Sequence, residues 1–79
     1  MSEIRVLGTT WCSDCTRSKA FLDANEVPYV WTDIEQDETA FEEVVRLNGR
    51  RVVPTIIFED GSFLTEPSDE ELGAKLGLD

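Results

Sequence analysis

Histidine is absent from this sequence of 79 residues, and cysteine occurs only twice. The absence of histidine excludes catalysis by an imidazole and metal binding through a histidine nitrogen. A structural zinc site normally uses four cysteine or histidine ligands, and two cysteines supply only half of that number. A closed site would need carboxylates or a second chain, so we predict neither a bound metal nor a bound cofactor.

Basic residues are scarce, since the chain has 7 lysines and arginines against 17 aspartates and glutamates and a formal net charge of −10 at pH 7. Such a charge repels nucleic acid and anionic membrane surfaces. No apolar run approaches the roughly 18 residues needed to span a membrane. The first residues, MSEIRVLG, lack the pattern of a signal peptide. We therefore expect a cytoplasmic monomer that binds neither nucleic acid nor membrane.

The length fits one small domain, residues 1–79. Apolar periodicity and the positions of glycine and proline predict the element order β-α-β-α-β-β-α. The predicted ranges are 4–7, 13–25, 29–33, about 37–48, 52–58, 62–64 and about 68–76, with a hairpin turn at 60–61. The first strand–helix–strand connection should make parallel neighbours, and the tight turn should make the last two strands antiparallel. We therefore predict an α/β fold with a four-stranded mixed sheet and helices on both faces.

Helical spacing predicts which side chains of the first two helices face the core. In the first helix the predicted apolar face consists of Cys15, Ala20, Phe21 and Ala24. In the second helix it consists of Phe41, Val44 and Val45. For the last helix, Ser68 and Glu71 have the spacing of a capping box, which predicts its start.

The two cysteines lie in the stretch GTTWCSDC, as Cys12 and Cys15. Cytosolic thiols are kept reduced, so a CxxC pair in a βαβ chain is typical of redox chemistry. The N-terminus of the predicted helix stabilises a thiolate and so should lower the pKa of Cys12. Cys15 lies one turn deeper and is less accessible. We predict that Cys12 attacks a disulfide and that Cys15 resolves the product, with a purely structural pair as the alternative.

Asp14 lies between the two cysteines, in the first turn of the predicted helix. An acidic residue there stabilises the helix by about 0.5 kcal/mol through the helix dipole, which alone would account for it. Its negative charge also disfavours a thiolate on Cys12. The second interpretation makes Asp14 a residue that tunes the pKa of Cys12.

The pattern T-x-W-C-x-x-C after a strand, followed by V-P-T before a strand and hairpin, resembles the thioredoxin superfamily. The short length is similar to that of its glutaredoxin branch, and the resemblance covers essentially the whole chain. Within that branch the sequence resembles the mycoredoxins, glutaredoxin-like proteins that work with the thiol mycothiol in actinobacteria. The stretches that carry this likeness are 9–12 (TTWC), 51–55 (RVVPT) and 64–76, which begins LTEPSDEE. The resemblance implies a thioredoxin fold of the glutaredoxin type.

The resemblance also implies roles for individual residues. Cys12 matches the nucleophile of the family and Cys15 matches the resolving cysteine. Pro54 matches the cis-proline that faces the cysteine pair, a conformation that X–Pro bonds adopt at low cost. Val53, which precedes it, would offer its backbone N–H and C=O groups to a thiol or peptide substrate.

Further residues of the expected substrate site follow from the same likeness or lie next to it. Ser68 and Asp69 match the helix start that holds a substrate carboxylate in glutathione-using relatives. Trp11 is either a recognition surface beside the cysteine pair or a partly buried anchor of its loop. Arg51, with its neighbour Arg50, either attracts an anionic substrate or lowers the pKa of Cys12, or else is a solvated loop charge.

Three departures from the glutaredoxin pattern bear on the choice of thiol. Ser13 and Asp14 replace the proline and tyrosine that many glutaredoxins carry between the cysteines. Thr9 stands where glutathione-using members often have a lysine, and 66–67 (Glu-Pro) stands where they have two glycines. These changes favour a larger, less anionic, sugar-bearing thiol such as mycothiol over glutathione, and they also suit a protein that uses no small thiol.

The implied activity is thiol–disulfide exchange that removes a low-molecular-weight thiol, mycothiol rather than glutathione, from protein mixed disulfides, and that also reduces protein disulfides. One alternative is an electron donor that thioredoxin reductase recharges and that serves ribonucleotide reductase. Another is a binding module, either an iron–sulfur carrier with a cluster held between two copies of Cys12 or an acidic adaptor. The cluster carriers of this family tend to have a small residue in place of Cys15, which disfavours that alternative.

Overall fold

The computed structural model describes residues 3–78. Its elements follow the predicted order β-α-β-α-β-β-α. They are β1 (Arg5–Gly8), α1 (Ser13–Ala24), β2 (Val30–Asp33), α2 (Glu38–Asn48), β3 (Thr55–Ile57), β4 (Phe63–Thr65) and α3 (Asp69–Leu76). None of the helices within these residues has the length and apolar character needed to cross a membrane.

The four strands form one mixed sheet in the order β2-β1-β3-β4. β1 and β2 are parallel, with Val6 opposite Trp31, as the crossover through α1 requires. β1 and β3 are antiparallel, with Val6 opposite Ile56, and β3 and β4 are antiparallel across the hairpin. The predicted four-stranded mixed sheet is confirmed.

The core consists of two layers on opposite faces of this sheet, because successive strand residues point to opposite sides. Val6 of β1 belongs to one layer and Leu7 to the other. The layer under α1 and α3 contains Ile4, Val6, Leu22, Ile56, Phe58 and Leu72. The layer under α2 contains Leu7, Ile34, Ala40 and Val44. Helices therefore cover both faces, as predicted.

The buried face of α1 differs from the predicted one. Its buried residues are Cys15, Ser18 and Leu22, at spacings of three and four, whereas Ala20 and Ala24 are exposed. The small polar side chain of Ser18 lies in the middle of the buried face, where it obscures the apolar pattern. Leu22, with no exposed surface, is the main contribution of α1 to the core.

The predicted face of α2 was also partly wrong. Ala40 and Val44, one turn apart, are the buried residues, and Val45 is half-buried. Phe41 lies one position round the helix from Ala40, and 37% of its surface is exposed.

Local sequence explains where the other elements begin and end. β3 starts at Thr55 rather than at 52, because Pro54 has no N–H group to donate to a neighbouring strand. Gly49 ends α2 in the left-handed region, at φ 79°. The predicted capping box is present at α3, where Ser68 and Glu71 each accept a hydrogen bond from the other's backbone N–H.

Candidate active site

Cys12 occupies the N-cap position of α1, at the end of the loop that leaves β1. Its backbone is extended (φ −89°, ψ 118°), and its Sγ accepts a hydrogen bond from the N–H of Cys15 at 3.2 Å. The side chain is half-buried rather than enclosed. The sulfur therefore lies where unpaired N–H groups and the positive end of the helix dipole stabilise negative charge.

Cys15 lies one turn along α1 and has no exposed surface. Burial raises the pKa of the Cys15 thiol to about 12, and the hydrogen bond to Cys12 and its charge act in the same direction. A backbone hydrogen bond from Thr9 and the charge of Lys19 oppose this rise in pKa only in part. Both cysteines are free thiols, and at neutral pH Cys15 is protonated.

The segment before β3 faces Cys12 from the opposite side. The thiol of Cys12 points to the carbonyl oxygen of Val53 at 3.9 Å. The Val53–Pro54 peptide bond is cis, as the resemblance implied. The Pro54 carbonyl accepts the N–H of Glu66 at 2.9 Å, which joins the segment to the end of β4. Across residues 3–78 the N–H of Val53 has no hydrogen-bond acceptor.

Trp11, directly before Cys12, has 62% of its surface exposed. This exposure leaves most of the indole surface open to a partner, and the rest of the residue contacts its neighbours. Its Nε1–H lies 3.1 Å from both carboxylate oxygens of Glu35. The guanidinium carbon of Arg51 lies 5.5 Å from the centroid of its ring. An indole ring flanked by a carboxylate and a guanidinium group thus lies beside the candidate nucleophile.

Arg17 connects the beginnings of α1 and α3. Its guanidinium donates to the carbonyl of Pro67 at 3.1 Å and lies 3.7 Å from a carboxylate oxygen of Asp69. It also lies 3.5 Å from Asp14, so one cation serves two acidic groups beside the site. Ser68, between these contacts, caps α3. The predicted residues Asp14, Ser68 and Asp69 are therefore brought together, but their polar groups already have partners within the chain.

Thr9 stands where glutathione-using relatives often have a lysine, and it is 1% exposed. Its hydroxyl is buried and has no hydrogen-bond partner among the described residues. The side chain cannot reach a substrate, so this corner of the site offers no cation.

Sequence reasoning missed Gly8, Arg17 and Glu35. Gly8 ends β1 directly under Cys15, where a glycine at the end of a strand could have suggested a close approach. Arg17 and Glu35 carry no such signal, because Arg17 reaches Pro67, 50 positions away, and Glu35 reaches Trp11, 24 positions away. Residues 3–78 contain no group of three cysteine, aspartate or glutamate side chains placed to hold a metal ion.

An accessible sulfur at a helix N-terminus, with a buried and protonated thiol one turn away, is an arrangement suited to thiol–disulfide exchange. Comparison with known proteins agrees with this chemistry. Residues 4–64 match the family model described as glutaredoxin. A protein of Mycobacterium tuberculosis strain H37Rv, provisionally named a glutaredoxin, is 46% identical over 74 residues, which cover 92% of this chain and 88% of that protein. Mycoredoxin 1 of Corynebacterium glutamicum is 39% identical over 77 residues, covering 96% and 95% respectively.

Solved structures show the same fold. A crystal structure of a variant thioredoxin-like protein superposes with a TM-score of 0.88 at 26% identity, over the whole of both chains. The glutaredoxin of Archaeoglobus fulgidus superposes with a TM-score of 0.82 at 23% identity, over 96% of this chain and 87% of that one. The chain therefore belongs to the glutaredoxin family, and it is a thiol–disulfide oxidoreductase.

Proposed function

We propose that this protein removes mycothiol from mixed disulfides with proteins, with Cys12 as the nucleophile and Cys15 as the resolving thiol. The observation that carries the proposal is the position of the Cys12 sulfur, half-exposed at the N-cap of α1 and opposite Val53. Thiol–disulfide exchange itself is the activity of the glutaredoxin family.

The first step is attack by the Cys12 thiolate on the mycothiol sulfur of the mixed disulfide. The disulfide bond of the substrate breaks, a Cys12–mycothiol disulfide forms, and the protein thiolate leaves and takes a proton from solvent. The helix N-terminus favours this attack because it stabilises negative charge on Cys12.

The second step releases mycothiol. Formation of the adduct removes the negative charge of Cys12, which is one of the causes that hold the pKa of Cys15 high. Cys15 can then lose its proton and attack the Cys12 sulfur, which expels the mycothiol thiolate and leaves a Cys12–Cys15 disulfide. A second mycothiol can act in place of Cys15; it forms oxidised mycothiol and restores the Cys12 thiolate. In each route two thiols are oxidised to one disulfide as another disulfide is reduced.

We propose that Val53 and Pro54 position the substrate. The carbonyl oxygen of Val53 lies 3.9 Å from the Cys12 sulfur, and its N–H has no acceptor within the described residues. An extended substrate backbone could therefore pair with both groups, as an added strand does. Trp11 and Arg51 would border the substrate on the side of the loop.

Several features support mycothiol over glutathione as the co-substrate. A relative that is 39% identical over nearly its whole length is a mycoredoxin. The Thr9 side chain is buried and neutral. Ser68 and Asp69, which we propose border the thiol on the α3 side, already bond to Glu71 and Arg17. A substrate carboxylate would have to displace these contacts, so a thiol with fewer carboxylates than glutathione fits better.

We further propose that the protein acts as a cytoplasmic monomer, with protein mixed disulfides and the small thiol as its partners. The sulfur of Cys12, the carbonyl of Val53 and the ring of Trp11 all come from one chain, so the site is assembled without a second copy.

Turnover with a mycothiol-modified protein tests the proposal. Reduced mycothiol should support faster release than reduced glutathione at equal concentration. The Cys12→Ser variant should be inactive. The Cys15→Ser variant should remain active, because a second mycothiol can release the adduct. Activity that survives in Cys12→Ser, or that prefers glutathione, would contradict the assignment.

A further inference from the structure

We propose that Glu35, together with Trp11 and Arg51, forms a subsite that accepts an uncharged, polyhydroxylated part of the thiol substrate and disfavours a carboxylate. The inference rests on the proposed function, since it concerns the thiol that reacts at Cys12. It adds a residue that lies outside the cysteine pair, the Val53–Pro54 segment and the start of α3.

The subsite is held rigidly from beneath. The N–H of Ile34 donates to the carbonyl of Gly8 at 2.9 Å, and the Ile34 side chain is buried. The N–H of Glu35 donates to a carboxylate oxygen of Asp33 at 2.9 Å. These two hydrogen bonds hold the backbone of the turn that follows β2, from which the Glu35 side chain reaches Trp11.

Glu35 also fixes the orientation of the indole. Both of its carboxylate oxygens lie 3.1 Å from Trp11 Nε1, so the ring is held by its polar edge while 62% of the residue stays exposed. Arg51 lies 5.5 Å from the ring centroid. Within residues 3–78, neither Glu35 nor Arg51 has an oppositely charged partner within 4.0 Å. The carboxylate therefore keeps its charge as well as spare lone pairs, and the guanidinium keeps its donors.

The chemistry of the three groups suits a sugar-like ring. The C–H groups of a saturated ring pack against an aromatic face, whose electron density attracts their partial positive charge. Hydroxyl groups can donate to the carboxylate of Glu35 and accept from the guanidinium of Arg51. The unpaired charge of Glu35 opposes the attraction that Arg51 would exert on a substrate carboxylate, so the subsite favours a carboxylate less than Arg51 alone would.

The position of the subsite determines which part of the substrate it meets. Trp11 is bonded directly to Cys12, so a group attached to the sulfur that reacts with Cys12 passes beside the indole. When the Cys12 thiolate attacks an oxidised thiol, the substrate disulfide breaks, one half stays on Cys12 as a mixed disulfide, and the other half leaves as a thiolate. The half that stays on Cys12 is the one whose substituent would occupy the subsite.

The test compares rates of adduct formation in a Cys15→Ser parent, followed by intact mass, with oxidised mycothiol and oxidised glutathione as separate probes. Glu35→Gln keeps an acceptor for Trp11 Nε1–H and removes the charge. Glu59→Gln serves as the matched control. It removes the same charge from the β3–β4 hairpin, at the end of β3 that lies away from Pro54. We expect Glu35→Gln to speed the reaction with glutathione about threefold relative to this control, the size of a screened interaction between exposed charges.

The reaction with mycothiol should change little in Glu35→Gln and should fall about fivefold in Trp11→Ala, which removes the aromatic face. If the ratio of the glutathione rate to the mycothiol rate is the same in Glu35→Gln and Glu59→Gln, the subsite proposal is wrong, although the proposed function can still hold. Failure of the parent to form either adduct would overturn the proposed function and the subsite together. Glu35 is exposed, so these variants should fold like the parent.

Discussion

The sulfur of Cys15 lies 2.5 Å from the position that a β-carbon on Gly8 would occupy. Two ring carbons of Trp31 lie 3.1 Å from the same position. The last residue of β1 can therefore be only glycine while Cys15 and Trp31 keep their places. The buried thiol of the redox pair and the end of the central strand are packed as one unit.

Replacing Gly8 with alanine should destabilise the reduced protein by about 1–3 kcal/mol, because an added methyl group forces its neighbours to move. Urea denaturation under reducing conditions measures this loss. The same substitution in a Cys15→Ala background should cost clearly less, because the nearest obstructing atom is then absent. Equal costs in the two backgrounds would show that the sulfur does not set the constraint.

Stability of the reduced protein should fall in alkaline solution because of Cys15. Its thiol ionises near pH 8.5 in the unfolded chain, whereas burial raises the pKa to about 12 in the folded protein. Below pH 8.5 the Cys15 thiol is protonated in both the folded and the unfolded protein, so its contribution to stability is complete. Between about pH 8.5 and 12 the unfolded chain releases the proton first, so the folded state loses stability as the pH rises.

The expected loss between pH 7 and pH 10 is about 1–2 kcal/mol from this thiol. The free energy of unfolding in urea, measured with a thiol-free reductant at each pH, reports it. The Cys15→Ser variant keeps the other groups that titrate in this range, including Tyr29. A loss of equal size in that variant would assign the pH dependence to those groups instead.

Asp14 and Arg17 should act in opposite directions on the reactivity of Cys12. Asp14→Asn removes a negative charge two residues from the sulfur and should speed alkylation of Cys12 by iodoacetamide at pH 7 about twofold to fivefold. Arg17→Gln leaves Asp14 and Asp69 without their shared cation and should slow the same reaction by a similar factor. If both variants react at the same rate as the unchanged protein, Asp14 serves only to stabilise the helix.

Much of the fold could be predicted because it follows from short-range signals. The hairpin at Asp60–Gly61 forms, with Gly61 at φ 90°, and Asn25 ends α1. The capping interaction of Ser68 follows from its spacing to Glu71. In these cases a residue's own backbone preference or a partner three positions away decides the structure.

The buried faces of the helices were harder to predict. The apolar spacing of α1 admitted Ala20 and Ala24 as core residues, and only the packing against β1 selects Ser18 and Leu22 instead. Small residues give weak evidence of burial in either direction, because little free energy depends on where an alanine or serine side chain lies.

The cysteine pair and Pro54 could be predicted from the sequence, whereas the side-chain contacts around them could not. The spacing of Cys12 and Cys15 at the start of a helix, and the resemblance at Pro54, predicted the two sulfurs that we propose react and the cis-proline segment opposite them. Glu35 contacts the exposed side chain of Trp11, and Arg17 contacts the backbone carbonyl of the buried Pro67; in both cases the partners are far apart in the sequence. Such contacts leave no periodic pattern, and only the three-dimensional structure reveals them.

We propose that Cys12 attacks a mycothiol disulfide and keeps the small thiol as an adduct. The most direct test incubates the Cys15→Ser variant with equal amounts of oxidised mycothiol and oxidised glutathione and records the intact mass. We predict one equivalent of mycothiol on Cys12, little glutathione, and no adduct in a variant that also carries Cys12→Ser. A predominant glutathione adduct, or the absence of any adduct, would contradict the account, and the second result would favour reduction by thioredoxin reductase.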